Sequence, residues 1–591
     1  MLFRSTYTAP LADMRFALRE VAGLERIAAL PGYEHATDDT VDAVLEEAAK
    51  LAGNGLAPLN RDGDKVGARL ENGVVRTAPG FTGIYKEFVD GGWNSLPFDP
   101  EFGGQGMPWL LATTVQEMWQ AANMGFGLVL LLNQGAIDAI HHHGSAEQKA
   151  TYLPRMISGE WTGTMNLTEP QAGSDLGQLK SRAVKDGDHY KITGQKIFIT
   201  YGEHDLTDNI IHFVLARLPD APPGNKGISL FLVPKFLLKP DGTPGERNDA
   251  RAHSIEHKMG IHASPTCTMV YGDNGGAVGY LVGEENRGLA CMFTMMNLAR
   301  LAVGLQGVGI AERATQQAIQ YAKDRKQGRA IGFSGQGSSA IIDFPDVKRM
   351  LITMRALTRA ARAICYATAG AIDGSHGKDD AKASNDRAAL LTPVAKAFST
   401  DIGIEVASLG IQVHGGMGFI EETGAAQHLR DARIAAIYEG TNGIQSLDLV
   451  SRKVPMNGGA AVRTYLDELR ETVKAVQAKN DPAFGTTGAK LSEAVESLDR
   501  ATTWLLSKLD KEPQAALAGA TPYLRLFGNA AGGCMLADEA LAALRLGDGE
   551  PATRVAIARF FAENIAVQAH GLEKSVTEGA GSVLSAETAL A

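Results

Sequence analysis

The chain has 591 residues, of which 45% are hydrophobic and 21% are charged, as in an ordinary globular protein of about three or four domains. Its formal net charge of −10 is mild for this length and argues against a nucleic-acid-binding protein, which would present a basic face. No apolar run is longer than Leu128–Leu132, far short of the roughly 20 residues that a membrane span needs.

The first two segments of the chain differ in periodicity. Residues 1–162 are predicted to be mainly helical, because apolar residues recur at helical spacing over Val41–Leu51 and Leu110–Ile140. Residues 163–281 are predicted to form a central β domain, since the Asp186-Gly187 turn between two short runs is typical of a hairpin. The apolar runs Ile210–Leu215 and Ile228–Val233 in this segment are predicted to be buried strands.

Helical spacing returns in the last two segments. Residues 282–454 contain Ile310, Ala314, Ala318 and Tyr321 at intervals of three and four, which predicts a helical domain. Residues 455–591 are rich in Ala and Leu and are predicted to form a separate helical bundle without evident chemistry.

Neither the cysteines nor the histidine run predicts a metal site. The four cysteines lie far apart and lack metal or redox spacing, which favours a reducing, cytoplasmic compartment. His141, His142 and His143 are adjacent, and side chains of adjacent helical residues diverge, so no metal is assigned.

Two segments in the predicted β domain could hold a ligand. Met165–Asp175 combines small residues, which allow close approach of the backbone, with the hydroxyls of Thr168 and Ser174. Gly194–Gly202 carries an aromatic and a hydroxyl two residues apart on one strand face, a pair that could cover a flat heterocycle. An ordinary polar turn and plain strand alternation remain the alternative interpretations.

Three further candidates lie in the helical region. Gln412–Phe419 is dense in glycine and could approach a pyrophosphate, although a tight turn explains it equally well. The planar guanidinium of Arg325 suits a phosphate or the end of a helix, whereas Asn297–Arg300 has a surface ion pair as its default interpretation. The glycine run Gly304–Gly309 is interpreted as permitting close helix packing.

The segment Arg430–Gln445 places one carboxylate, that of Glu439, directly before a Gly-Thr-Asn turn at the end of an apolar run. A carboxylate in this position can cap the next helix or accept a proton. The residue chemistry alone leaves both roles open.

In this order and spacing, the segments resemble the acyl-CoA dehydrogenase family over roughly residues 40–450. The resemblance rests on Leu167–Pro170 with Ala172–Asp175, Gly194–Thr200, Tyr321 with Arg325, Gln412 with Gly415–Gly418, Arg430–Arg433 and Ile437–Asn442. It implies a mainly α fold with a central β domain: an N-terminal helical domain, a β-barrel-like domain, a four-helix bundle and, here, a C-terminal helical extension.

The resemblance also implies FAD as the cofactor and assigns residues to its site. The cofactor-binding residues would be Thr168, Gly173, Phe198, Thr200, Arg325, Gln412, Gly416, Thr441 and Asn442. Thr168 and Thr200 would donate hydrogen bonds to the flavin ring and Phe198 would cover it. Ser174, Asn297 and Arg300 would contact the CoA arm of an acyl-CoA substrate.

Glu439 matches the catalytic base of the family, which removes the α-proton of the thioester while the β-hydride passes to flavin N5, giving a trans-2-enoyl-CoA. The resemblance implies electron-transfer flavoprotein as the electron acceptor. In this family the arginine and glutamine that match Arg325 and Gln412 usually reach the FAD of a neighbouring subunit, which implies a homodimer.

Tyr7–Phe16 and the long tail after Pro455 resemble the large subgroup that includes 3-methylthiopropanoyl-CoA dehydrogenases, enzymes of dimethylsulfoniopropionate degradation. Straight-chain fatty acyl-CoA thioesters are the alternative substrates. An acyl-CoA oxidase and a non-catalytic member of the family are the alternative functions.

Overall fold

The structure is a computed structural model that describes residues 6–377 and 380–591, apart from the side chains of residues 294–297. Its α-helices are α1 (Leu11–Phe16), α2 (Leu24–Ala28), α3 (Asp38–Lys50), α4 (Ala57–Val66), α5 (Phe81–Asp90), α6 (Trp109–Ala122), α7 (Met124–His143), α8 (Ala146–Ser158), α9 (Gly288–Asp324), α10 (Pro345–Gly374), α11 (Ala381–His414), α12 (Ala425–Ala432), α13 (Asn442–Asp448), α14 (Ala460–Lys479), α15 (Thr487–Lys508), α16 (Pro513–Ala518), α17 (Ala520–Leu546), α18 (Pro551–Asn564), α19 (Ala569–Thr577), α20 (Ala580–Leu584) and α21 (Glu587–Leu590).

The strands occupy the middle of the chain, apart from one short early hairpin. They are β1 (Arg69–Glu71), β2 (Val74–Arg76), β3 (Trp161–Asn166), β4 (Arg182–Asp186), β5 (His189–Thr200), β6 (Asn209–Ala216), β7 (Ser229–Pro234), β8 (Phe236–Leu238), β9 (Pro244–Arg247), β10 (Ala250–Ile255), β11 (Thr266–Tyr271) and β12 (Ala277–Val282). The predicted fold class, mainly helical with a central β domain and a C-terminal helical extension, is confirmed.

The chain divides into two compact units, the first made of residues 1–49, 108–121 and 300–591, the second of residues 50–107 and 122–299. The four domains predicted from the sequence, 1–162, 163–281, 282–454 and 455–591, stay a prediction.

An eight-stranded sheet organises the second unit, in the order β10-β11-β5-β12-β7-β6-β3 with β4 beside β5. Strands β3 and β6 run parallel and the other neighbours are antiparallel. Strands β6 and β7 are buried along their whole length, so their continuous apolar runs correctly predicted interior strands. The predicted hairpin is confirmed, with Asp186 opposite His189 and a left-handed Gly187 between them.

Close helix packing organises the first unit. A Cβ atom on Gly307 of α9 would lie 2.1 Å from the carbonyl oxygen of Ser399 in α11, and one on Gly304 would lie 2.5 Å from that of Ala395. The glycine run therefore lets two backbones touch, as interpreted from the sequence. On another side, α17 of the C-terminal extension packs against α10, α11 and α13.

Two elements differ from the sequence predictions. The apolar stretch Leu110–Ile140 is broken between α6 and α7 at Asn123, where the side chain accepts a hydrogen bond from the N–H of Phe126 at 3.1 Å and starts a new helix. The β1–β2 hairpin, turning through Asn72 and Gly73 with positive φ, lies within a segment that was predicted to be mainly helical.

Among the described residues, α7 and α9 are long and apolar enough to cross a membrane by length and composition alone. In α7, 89% of the relevant window is buried inside the fold, as in the core helix of a globular protein. The two helices are therefore weak evidence for a membrane span.

Candidate active site

Glu439 lies in a strained turn between the short 3₁₀ helix Arg433–Ala436 and α13. Its φ of +54° and that of Gly440, +80°, place both residues in the left-handed region. This conformation costs a non-glycine residue about 1 kcal/mol and needs support from its surroundings. Gln445 gives that support, because its Nε2 donates to the carbonyl oxygens of Glu439 at 3.0 Å and Gly440 at 3.4 Å.

The capping role that the sequence left open for Glu439 belongs to Thr441. The Thr441 hydroxyl accepts a hydrogen bond from the N–H of Ile444 at 3.2 Å and so caps α13. Within the described chain the carboxylate of Glu439 makes no hydrogen bond. It is therefore available to a ligand.

Electrostatics prepare this carboxylate to accept a proton. Desolvation raises the pKa of Glu439 above its ordinary value, against the opposing charges of Arg300 and Lys396. A carboxylate with a raised pKa is a stronger base, which suits proton abstraction from a weak carbon acid.

Arg300, predicted to contact CoA, is buried in α9 and donates from Nη1 to the Asp448 carboxylate at 3.1 Å. Its buried Nε has no hydrogen-bond partner among the described residues. The structure thus groups Arg300 with the Glu439 turn, whereas the side chain of Asn297, a second predicted CoA contact, lies outside the described residues.

Asn442 holds the start of α13 against α11. Its Oδ1 accepts hydrogen bonds from Lys396 Nζ at 2.8 Å and Thr400 Oγ1 at 3.2 Å, and its Nδ2 donates to Asp401 Oδ1 at 2.7 Å. The predicted cofactor residues Thr441 and Asn442 therefore also fix the backbone that carries Glu439.

Arg325, Gln412 and Gly416 form a second, exposed group at the ends of α9 and α11. The ring of Tyr321 stacks on His414 at 4.3 Å between centroids and joins these two helix ends. The backbone at Gly416 faces open space, with no atom within 4 Å of a Cβ placed there. Gly418 faces no such open space, since a Cβ placed on it would lie 2.3 Å from the carbonyl oxygen of Ile411.

In the second unit, a buried ion pair fastens the loop after β3 to β5. Glu169 Oε1 accepts hydrogen bonds from Lys196 Nζ at 2.8 Å and Ser181 Oγ at 2.6 Å, and Lys196 also donates to the Leu167 carbonyl at 3.1 Å. Although burial raises the pKa of Glu169, Lys196 and the hydrogen bonds hold it at about 2.

This fastening brings Thr168, Phe198 and Thr200 together. The N–H of Ile197 donates to the carbonyl of Thr168 at 2.9 Å, which places that loop residue beside β5. Phe198 has a φ of +60° at a bulge in β5 and is 59% exposed, whereas Thr200 is half-buried. Neither threonine hydroxyl makes a hydrogen bond in the part of the chain that the structure describes.

Gly173 and Ser174 are exposed on the same loop. A Cβ on Gly173 would meet no atom within 4 Å, so packing within the unit does not require glycine there. Their predicted roles in binding cofactor and substrate stay predictions.

Sequence reasoning missed Lys396, Asp401 and Gln445, which hold the Glu439 turn. A signal was present for Lys396, since it is a single cation in the apolar run Val394–Phe398. Gln445 carried no comparable signal, because its contact depends on the shape of the turn.

Models of four families together match most of the chain. They are the acyl-CoA dehydrogenase N-terminal domain at residues 38–160, its middle domain at 164–274, its C-terminal domain at 286–454, and the acetyl-CoA dehydrogenase C-terminal-like domain at 465–587.

Whole-length relatives agree with these matches. The chain is 47% identical to 3-methylmercaptopropionyl-CoA dehydrogenase of Ruegeria pomeroyi over 98% of this chain and 100% of that one. It is 33% identical to a butyryl-CoA dehydrogenase of Syntrophomonas wolfei over 96% and 97% of the two chains.

A solved structure shows the same fold. The acyl-CoA dehydrogenase of Bacillus anthracis complexed with FAD matches with a TM-score of 0.74 at 22% identity, over 92% of this chain and 88% of that one. From the family matches and the whole-length relatives together, the chain belongs to the acyl-CoA dehydrogenase family and is an oxidoreductase of that family.

Proposed function

We propose that this acyl-CoA dehydrogenase oxidises a short acyl-CoA thioester to its trans-2-enoyl-CoA, with FAD as the cofactor and Glu439 as the base. The first candidate substrate is 3-methylthiopropanoyl-CoA, also called 3-methylmercaptopropionyl-CoA, after the relative that is 47% identical. This substrate would place the enzyme in dimethylsulfoniopropionate degradation. Straight-chain fatty acyl-CoA is the second candidate, since the butyryl-CoA dehydrogenase relative also matches over nearly its whole length.

The observation that carries the proposal is the free carboxylate of Glu439. The turn is strained, Thr441 performs the capping, and two cations act on the carboxylate. A strained glutamate with a raised pKa and no structural partner is better explained by proton transfer than by stability.

The described residues fit a flavin nucleotide. Phe198 offers an exposed aromatic face, and the hydroxyls of Thr168 and Thr200 are available as donors to ring heteroatoms. The exposed fork of Arg325 suits a pyrophosphate, and the open backbone at Gly416 allows close approach. When bound, FAD supplies the acceptor for the β-hydride.

The chain itself would hold and move the α-proton. Glu439 removes the proton, and Arg300 and Lys396 keep its carboxylate ionised until the substrate desolvates it further. The backbone N–H of Glu439 makes no hydrogen bond within the described residues, so it can donate to the thioester oxygen as negative charge develops there.

A second copy of this chain is the proposed neighbour of the face that carries Arg325 and Gln412. On this face Phe419 is 86% exposed and Met417 is 45% exposed, and burial against another subunit would be favourable. We further propose electron-transfer flavoprotein as the electron acceptor and the cytoplasm as the compartment. All four cysteines are buried and free, which suits a reducing environment.

A matched pair of substrates tests the proposal. 3-methylthiopropanoyl-CoA and pentanoyl-CoA differ only by sulfur in place of one methylene, so their kcat/KM ratio isolates recognition of sulfur from chain length. We expect kcat/KM to be about tenfold higher for 3-methylthiopropanoyl-CoA, the size of effect that one group in an apolar pocket produces. Butyryl-CoA and octanoyl-CoA complete the series.

The contrary outcomes are distinct. Equal or better turnover of pentanoyl-CoA would assign the enzyme to straight-chain substrates. Reoxidation of the reduced flavin by air as fast as by electron-transfer flavoprotein would indicate an oxidase, and failure of every acyl-CoA to reduce the flavin would refute the proposed function.

A further inference from the structure

We propose that Lys396 is a positioning residue for the proposed dehydrogenation, which anchors the Glu439 turn through Asn442 and supplies a positive charge to the Glu439 carboxylate. This inference rests on the proposed function, since it assigns a second group to the proton-transfer step. It gives a role to a buried cation that structural stability alone explains poorly.

The setting of Lys396 is unusual for a lysine. It lies in α11 in the apolar run Val394–Phe398, is 0% exposed, and therefore carries a large desolvation cost when charged. Its ammonium donates to one side-chain oxygen, Asn442 Oδ1, at 2.8 Å. Lysine is seldom buried so completely without a direct carboxylate partner, unless its charge is used.

Asn442 transmits the position of Lys396 to the catalytic turn. It is the first residue of α13 and lies three residues after Glu439. Both ends of its amide are occupied by α11, through Lys396 and Thr400 at Oδ1 and through Asp401 and the carbonyl of Ala397 at Nδ2. Helix α11 thus fixes the backbone that presents the carboxylate.

Packing of α9 against α11 also fixes the position of Arg300, the second cation that acts on Glu439. Gly304, four residues after Arg300, meets the carbonyl of Ala395, the residue before Lys396. Arg300 makes an ion pair with Asp448 of α13 and also acts on Glu439, whereas the ammonium of Lys396 has no carboxylate among its hydrogen-bond partners in the described chain.

The charged groups around Lys396 lie on α9, on α11 itself, on the Glu439 turn and on α17. Burial lowers the pKa of Lys396 to about 7, Glu439 and Asp401 oppose this, and Arg300 lowers it further. Asp401 in turn has a raised pKa because of its burial, against the effects of Asn442, Arg525 and Lys396, while Glu405 raises it. Arg525 of α17 pairs with Glu405 at 3.0 Å, so the C-terminal extension also contributes to this cluster.

The sign of the expected effect follows from these charges. A protonated Lys396 favours the ionised form of Glu439 and lowers its pKa. Removing the cation should raise the pKa of Glu439, so that the base ionises only at higher pH. The rate of flavin reduction should then begin to rise at a higher pH than in the wild type.

The test measures the rate of flavin reduction by saturating acyl-CoA against pH, in anaerobic stopped flow with FAD-loaded enzyme. The acid limb of this profile is the range of pH over which the rate rises as the base ionises. For Lys396→Met we expect the acid limb to move to higher pH by about 1 unit, as for loss of one neighbouring charge. Lys396→Arg keeps the charge and should return the limb towards the wild-type position, even if its rate is lower. A purely structural role would change the rate and leave the limb in place.

Asp401→Asn is the second variant, in case Lys396→Met does not fold. It keeps an acceptor for Asn442 but removes the anion that favours charged Lys396, so the limb should move the same way by a smaller amount. An unchanged limb in whichever variant folds and retains FAD overturns the inference. Glu439→Gln separates the two proposals: if that variant reduces flavin at close to the wild-type rate, Glu439 is not the base and the proposed function built on it has failed.

Discussion

At the scale of the residue, the backbone of Glu439 is more informative than its position in the sequence. A glutamate with a φ of +54° is strained, and the neighbouring Thr441 and Gln445 hold the turn without using the carboxylate. A capping glutamate would need no such arrangement. The residue therefore fits a role in chemistry better than a role in stability.

Glu169 gives the first prediction at this scale, for acid stability. Its pKa falls from an ordinary 4.5 to about 2 in the folded protein, while its side chain is 3% exposed. A carboxylate with a lowered pKa stabilises the fold fully above its unfolded pKa, and this contribution, about 3 kcal/mol, is lost as the pH falls towards 2. Lys196 stays protonated in both states over this range and adds no slope.

The measurement is the melting temperature between about pH 5 and pH 3. The control is the double variant Glu169→Gln with Lys196→Met, which removes both charges of the buried pair together. We expect the wild type to lose stability more steeply than the control below about pH 4.5. Parallel curves would show that the pair does not contribute to acid stability.

At the scale of the element, contact between α9 and α11 determines where the Glu439 turn lies in its unit. Gly307→Ala would place a Cβ 2.1 Å from the carbonyl oxygen of Ser399 and force the two helices apart. Overpacking of this kind costs about 1–3 kcal/mol, and more where backbone must move. We expect a lower melting temperature and slower flavin reduction.

Gly410→Ala is the matched control in α11. The nearest atom to its added Cβ would be 3.6 Å away, an ordinary contact, and alanine favours a helix over glycine by about 1 kcal/mol. This variant should be as stable as the wild type or slightly more so. Equal destabilisation by the two substitutions would contradict the close-packing account.

The sequence predicted the elements well where periodicity was sufficient. The buried strands β6 and β7, the β4–β5 hairpin and the glycine packing of α9 were all predicted. The helix break at Asn123 was missed, because an asparagine inside an apolar stretch becomes a cap only when its side chain turns back to the N–H of Phe126.

At the scale of the whole molecule, family membership is established, but the site residues remain predictions. Glu439, Thr168 and Arg325 were proposed as site residues from local motifs, since each lies within a distinctive run of neighbours. Lys396 stood out only as a single cation in an apolar run, and neither its role nor Asp401 could be predicted locally, because both residues reach the Glu439 turn through contacts between distant segments of the chain. Substrate choice is decided by pocket shape, which no motif records.

The central claim is that Glu439 takes the α-proton, and flavin reduction by Glu439→Gln tests it most directly. The amide keeps the size of the side chain and removes the base, so the purified variant should retain its yellow FAD. With saturating acyl-CoA under anaerobic conditions, we expect flavin bleaching to slow by about 10³-fold, the contribution of a positioned general base. Bleaching at close to the wild-type rate would contradict the account.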